Sequence, residues 1–160
     1  MMKNFTINSV FVLLLLINNS VASSKKDNIF IKQKVYEDLI SVLDNNRVLI
    51  KENSLLVSIN PGDIFESNSA EFKPNASTDF THTTNIIKKY NKLSFNVSVH
   101  TSTEGAEDIN LLISQKRALA INKFLIKSHI SSKRFISEGK GEKESTNKSI
   151  ERIEFEIFIN

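Results

Sequence analysis

Between residues 99 and 118 the sequence reads VHTSTEGAEDINLLISQKRA: a run of hydroxyl side chains, a short acidic run, then Arg117 inside an apolar helical pattern. At about 100° per residue, Asn110, Ser114, Arg117 and Ile121 fall close to one line along such a helix, with Ile113 and Phe124 beside it. An arginine on that line is partly buried, and a buried guanidinium needs acceptors. Its planar fork suits a carboxylate, bound through two parallel hydrogen bonds. The acceptor can come from outside, which makes Arg117 a recognition residue. It can also come from the chain itself, with Glu107 and Asp108 the acids nearest in sequence.

No other group of residues carries comparable chemistry. His82, His100 and His129 fall on a helix, a strand end and a loop, with no pair at i, i+4 and no acid at a metal-like spacing. They read as surface or structural histidines, and no metal site is expected. With no cysteine, disulfides, a thiol nucleophile and thiolate metal ligation are excluded. There is no G-x-S-x-G elbow, phosphate loop or dinucleotide fingerprint, and Gly139-Lys140-Gly141 reads as a turn. The carboxylates are spread over polar faces without a pair suited to acid–base work. The expectation is a protein that is not an enzyme and needs no cofactor. A formal net charge of +3 over 160 residues, with aromatics that are mostly Phe and not interleaved with basic clusters, also argues against a nucleic-acid partner.

The elements that must position Arg117 follow from the patterning. Lys3, the apolar run Val10–Ile17 and the small residues Ser20-Val21-Ala22 form the three-part layout of a secretory signal peptide, with cleavage expected after Ala22. The eight-residue apolar run is far short of the roughly 20 residues that cross a bilayer. Without a cysteine to carry lipid, the expected product is an exported protein and not a lipoprotein; export without cysteine fits a bacterial periplasm. Residues 23–29 read as an irregular polar leader. Val35, Leu39, Val42 and Leu43 make a helical stripe over Lys32–Leu43, and RVLIKENSLLVSI reads as a hairpin around residues 51–54. Pro74 suits the first turn of a second helix that runs through Phe80, Thr83, Ile87 and Tyr90. LSFNVSVHT alternates as a strand, Asp108–Lys127 lacks Pro and Gly as a long helix should, and RFIS and RIEFEIFI read as two further strands. This order implies an α+β, two-layer sandwich, with helices on one face of a small mixed sheet.

These residues resemble the OmpA-like, peptidoglycan-associating domain also found in peptidoglycan-associated lipoprotein and flagellar motor stators. IFESNSAEFKP (64–74) matches its opening motif, with Phe65, Asn68, Ser69, Ala70, Phe72 and Pro74 in register. FNVSVHTSTEG (95–105) matches the strand entering the His-Thr loop, and NLLISQKRA (110–118) the N-x-x-L-S-x-x-R-A helix, with Ile for Leu. ISEGKGE (136–142) and RIEFEI (152–157) match the closing strands. The implied organisation is a signal peptide over 1–22, then a leader, helix and first hairpin strand over 23–54. The OmpA-like β-α-β-α-β-β domain follows over 55–160.

The resemblance implies a function: holding the diaminopimelate side chain of the peptidoglycan stem peptide. It implies Arg117 for the carboxylate, Asn68 beside it, and His100, Thr101, Asn110, Ser69 and Ser114 in support. An aspartate for the ammonium group should follow His100-Thr101, and Ser102 stands there instead. Serine supplies no charge, and a hydrogen bond to a charged group contributes about 1.5–3 kcal/mol. Binding roughly ten- to a hundredfold weaker is therefore expected. Ser67, His129 and the Ile150-Glu151 pair, where the family usually has Asn-Arg, depart from the pattern as well. Two readings follow: an exported envelope or outer-membrane-associated protein that binds peptidoglycan weakly, or a structural subunit of an envelope-spanning assembly, such as a type IVB secretion system, whose partners are other envelope proteins and whose peptidoglycan site is lost.

Overall fold

A computed structural model of the chain describes residues 7–74, 76, 78–143 and 151–159, with side chains from Ser23 onward apart from that of Asn45. The elements are α1 (Ile7–Ile40), β1 (Val48–Ile50), β2 (Ser54–Ile59), α2 (Thr78–Lys89), β3 (Ser94–His100), α3 (Glu107–Lys127), β4 (Phe135–Gly141) and β5 (Arg152–Phe158). The five strands form one mixed sheet in the order β1-β2-β5-β3-β4, with β3 and β4 parallel and the other pairs antiparallel. The expected two-layer α+β sandwich, with its extra helix and hairpin strand, is the observed fold.

Period-two burial explains the sheet. Phe95, Val97 and Val99 of β3 and Ile153, Phe155 and Ile157 of β5 are all buried, and the residues between them are polar or more exposed. The helices cover this apolar side. Phe80 of α2 and Phe124 of α3 meet at 5.0 Å between ring centroids, and Phe72 reaches both, at 5.8 and 5.5 Å. Phe65 joins the cluster through Phe72 at 4.9 Å, and backbone pairing between the same two residues closes the 64–74 segment into a tight loop. The opening motif is thus fastened to the core at both ends.

Several boundaries differ from expectation. The irregular leader expected over 23–29 is helical, since α1 runs without a break to Ile40. Its last three turns pack onto the domain. Val35 and Leu39 are fully buried, Asp38 accepts from Lys89 and Tyr90 at 2.6 and 2.7 Å, and Lys32 donates to the hairpin carbonyls of Lys51 and Glu52. Among the described residues no helix is long and apolar enough to cross a membrane. The second helix starts at Thr78 instead of Pro74, because Lys73 N–H is taken by Ile64 C=O in the preceding loop. Gly139-Lys140-Gly141 is not a turn but the end of β4, for a reason given below.

The C-terminus of α3 turns on His129, whose φ of 63° is left-handed. Its N–H donates to Ile126 C=O, and Ile130 N–H donates back to Leu125 C=O, the two bonds of a Schellman ending. Glycine adopts this conformation without the Cβ clash that costs an L-residue about 1–2 kcal/mol. Part of that gain is offset by the greater freedom glycine gives the unfolded chain. His129→Gly should therefore raise the unfolding free energy by about 0.5–1 kcal/mol, read as a thermal midpoint about 2–4 °C higher. A lower midpoint would show that the imidazole makes a stabilising contact.

Candidate binding site

The positioning of α3 begins with glycine. A Cβ built on Gly139 would lie 2.2 Å from Gln115 N and 2.3 Å from the Ser114 carbonyl carbon, so α3 rests directly on the backbone of β4. One residue pair further along, Gly141 N–H donates to Ser114 Oγ at 2.9 Å, and Gly141 C=O accepts from Thr101 N–H at 2.9 Å. Helix, edge strand and the loop after β3 are locked together by these contacts. Asn110, Ser114, Arg117 and Ile121 all point inward, as their single line predicts.

Arg117 is 3% exposed. Its guanidinium lies over the Phe65 ring, 5.4 Å from the centroid, in cation–π geometry. Nε donates to Ser69 C=O at 2.9 Å, which ties α3 to the opening motif. That loop is shaped for the bond: Asn68 takes a left-handed φ of 51°, and Ser69 Oγ accepts from Glu71 N–H at 3.0 Å. The other facing group is Glu151. Its Oε2 lies 3.5 Å from Arg117 Nη1, and its side chain is 40% exposed. Neither Glu107 nor Asp108, the acids nearest in sequence, pairs with Arg117. A guanidinium carries five N–H donors. Among the described residues these two contacts engage two of them, one at the long limit of hydrogen bonding. The chemistry is that of a buried cation with N–H donors left, among the described residues, for a further acceptor.

The candidate residues divide into groups. Arg117 meets Ser69 over Phe65, and Asn68 directly precedes Ser69 in the same loop. Asn110 acts elsewhere. Its amide donates to Ser102 C=O at 3.1 Å and Glu104 C=O at 3.0 Å, holding the 102–105 loop with Gly105 at a φ of 96°. Ser102 Oγ faces Glu104 N–H at 3.4 Å, and the Glu104 side chain is exposed. Thr101 and Ser114 belong to the Gly141 lock. His100 is buried at 1% exposure, with Nε2 3.5 Å from Glu154 Oε2 on β5. This contact turns the ring toward the sheet. No contact among the described residues joins Ser102 to Arg117. Sequence reasoning missed Glu151 as the partner of Arg117. The available signal was the acid standing just before Arg152, where the resemblance calls for a different pair.

The profile of the OmpA family matches residues 64–155, more than half of the chain and the whole of this site. The chain belongs to the OmpA family. Over 77 residues it is 32% identical to the probable lipoprotein YiaD of Escherichia coli K12; the match covers 48% of this chain and about a third, 35%, of that relative's length. Two solved structures share the OmpA-like fold. A MotB-like protein from Desulfovibrio vulgaris superposes with a TM-score of 0.72 at 14% identity, covering 84% of this chain and 98% of that one. The cell wall anchor of the T6SS from Pseudomonas aeruginosa gives 0.64 at 21% identity, covering 79% and 97%.

Beside this OmpA-family site, Glu154 is held well below the usual carboxylate range, at about 2 against an ordinary 4.5, by His100 and by Arg152, with burial opposing both. The His100 contact is long, whereas Arg152 Nε lies 2.7 Å from Glu154 Oε1. A folded-state value below the unfolded one stabilises the protein above about pH 4.5, and that stability is lost as pH falls toward about 2. Unfolding free energy should therefore fall over this range by about 1–2 kcal/mol more in the natural protein than in Glu154→Gln, most of it from the Arg152 contact. Denaturant titrations at stepped pH measure the difference; parallel acid profiles for the two proteins would contradict it.

Proposed function

We propose that this chain is a non-enzymatic protein of the bacterial cell envelope whose OmpA-family segment associates with peptidoglycan. In this reading the carboxylate of the diaminopimelate stem peptide sits on Arg117 beside Asn68. Residues 1–22 are a cleaved signal peptide, and the mature chain is periplasmic. The carrying observation is the state of Arg117, a guanidinium buried to 3% exposure whose facing carboxylate is long at 3.5 Å and itself 40% exposed. A buried cation held this loosely gains from a better acceptor. Glu151 then acts as a displaceable internal stand-in for the ligand carboxylate. The Pseudomonas cell wall anchor, similar in fold, is consistent with an anchoring role.

A second reading is favoured by two residues together. Ser102 stands where the resemblance calls for the aspartate that would meet a ligand ammonium, and Glu151 faces the arginine. A site changed on both sides fits a domain kept as a packing subunit of an envelope assembly, such as a secretion system.

Calorimetric titration with a diaminopimelate-containing muropeptide separates the two. Saturable binding that is lost in Arg117→Ala and strengthened in Glu151→Gln supports the anchoring role. Ser102→Asp should add roughly a factor of ten or more, at about 1.5–3 kcal/mol for a charged hydrogen bond. Failure of both the natural protein and Glu151→Gln to bind would overturn the anchoring role in favour of the packing subunit.

A further inference from the structure

Helix α3 has two apolar faces, and the domain uses one of them. Ala118, Ile121 and Leu125 are buried on the side that carries Arg117. On the opposite side Ile109, Leu112, Leu119 and Ile126 are 59, 46, 54 and 49% exposed. These four occur with Lys116 and Lys123 at alternating steps of three and four residues, from 109 through 112, 116, 119 and 123 to 126. That is a heptad a/d seam sustained over five turns of helix, with lysines at two of the a-type positions. An amphipathic surface helix would place polar residues there. The inversion is sharpest in the first half of the helix, where Asn110, Ser114 and Arg117 are inside while Ile109 and Leu112 are outside.

The seam is not a convex ridge. With the 68–71 loop as its opposite wall, the stretch from Ile109 to Lys123 forms a groove of about 540 Å³, and Ile126 continues the seam just past its end. Ile113 and Ala120 form part of its lining, and Lys116 and Lys123 stand along it. Neither lysine has an ion-pair partner among the described residues.

We propose that the groove between the outer face of α3 and the 68–71 loop is a docking site for an amphipathic helix of another protein, carrying carboxylates opposite Lys116 and Lys123. Heptad spacing selects a helix as the occupant, because only a second helix matches an a/d seam with its own period. Charge selects its composition. Two desolvated lysines require acids across the interface, and a second copy of this same seam would bring lysines to lysines. Concavity and the acidic wall residue Glu71 disfavour an anionic lipid surface. The groove borders the Arg117 site, because its far wall carries Asn68 and Ser69, and the Ser69 carbonyl accepts from Arg117 Nε.

The test places the photo-crosslinker p-benzoylphenylalanine at position 112, 119 or 126 of the full-length chain in its own cells. Position 136 is the control, since Ile136 is 58% exposed on β4. The expected result is adducts at the three seam positions to one polypeptide. Mass spectrometry of the joined peptide should show an acidic segment with apolar residues at three- and four-residue steps. Combining Lys116→Glu with Lys123→Glu should reduce the yield at least tenfold, while the same charge reversal at Lys92 and Lys133, exposed elsewhere on the domain, leaves it unchanged. Adducts to lipid, to a second copy, to a peptide without that pattern, or at no more than the position 136 level, would each overturn the proposal.

Discussion

The structure depends on the close approach of α3 to the edge strand β4. With no side chain at Gly139, the helix backbone settles onto the strand at a distance that any Cβ would forbid. Everything that could recognise a ligand is referred to that contact. It lets Gly141 reach Ser114, it brings Thr101 to Gly141, and it turns Asn110 and Arg117 inward, onto the 102–105 loop and the opening motif. Three segments remote in sequence thereby become one rigid frame. Such a frame can hold a planar fork in a fixed orientation at little entropic cost on binding.

In the proposed anchoring role Arg117 is what the frame displays, and its surroundings fit the compromise such a cation requires. Complete internal pairing would stabilise the fold and close the site. No pairing would leave a desolvated charge without compensation. The observed state lies between these, with Nε committed to Ser69 and the remaining edge turned toward a half-exposed Glu151. Phe65 supports the guanidinium from below while packing through Phe72 into the core, so the cation's position is coupled to the aromatic cluster. The same helix turns four large apolar residues outward, the face on which we propose that a partner helix docks.

Much of this was legible in sequence where local chemistry and tertiary structure agree. The alternation of Leu93 to Val99 and the Pro- and Gly-free run to Lys127 gave β3 and α3 almost to the residue, because burial on one face is what those periods encode. Gly139-Lys140-Gly141 misled because glycine commonly marks turns. Here glycine is demanded by a neighbour's backbone, which no local window contains. Pro74 misled because the pairing of the 64–74 loop outweighs a favourable helix start. The inward line through Asn110, Ser114, Arg117 and Ile121 was readable from spacing alone. The partner of Arg117 was not, since Glu151 is brought to it by strand order and not by proximity in the chain. The assignment of Asn110 to loop-holding likewise needed the fold, because its role lies in two backbone carbonyls and not in any residue type.

In the proposed anchoring role the outer edge of the Arg117 guanidinium exchanges an internal carboxylate for an external one while its inner edge stays fixed. NMR observation of the arginine side-chain resonances, with the Glu151 carboxyl carbon followed alongside, tests it as a diaminopimelate stem peptide is added. The Arg117 Nη signals and the Glu151 carboxyl signal should move together and saturate, with Nε nearly unchanged on Ser69. Stationary Arg117 and Glu151 signals, with shifts confined to other surface residues or absent, would contradict it.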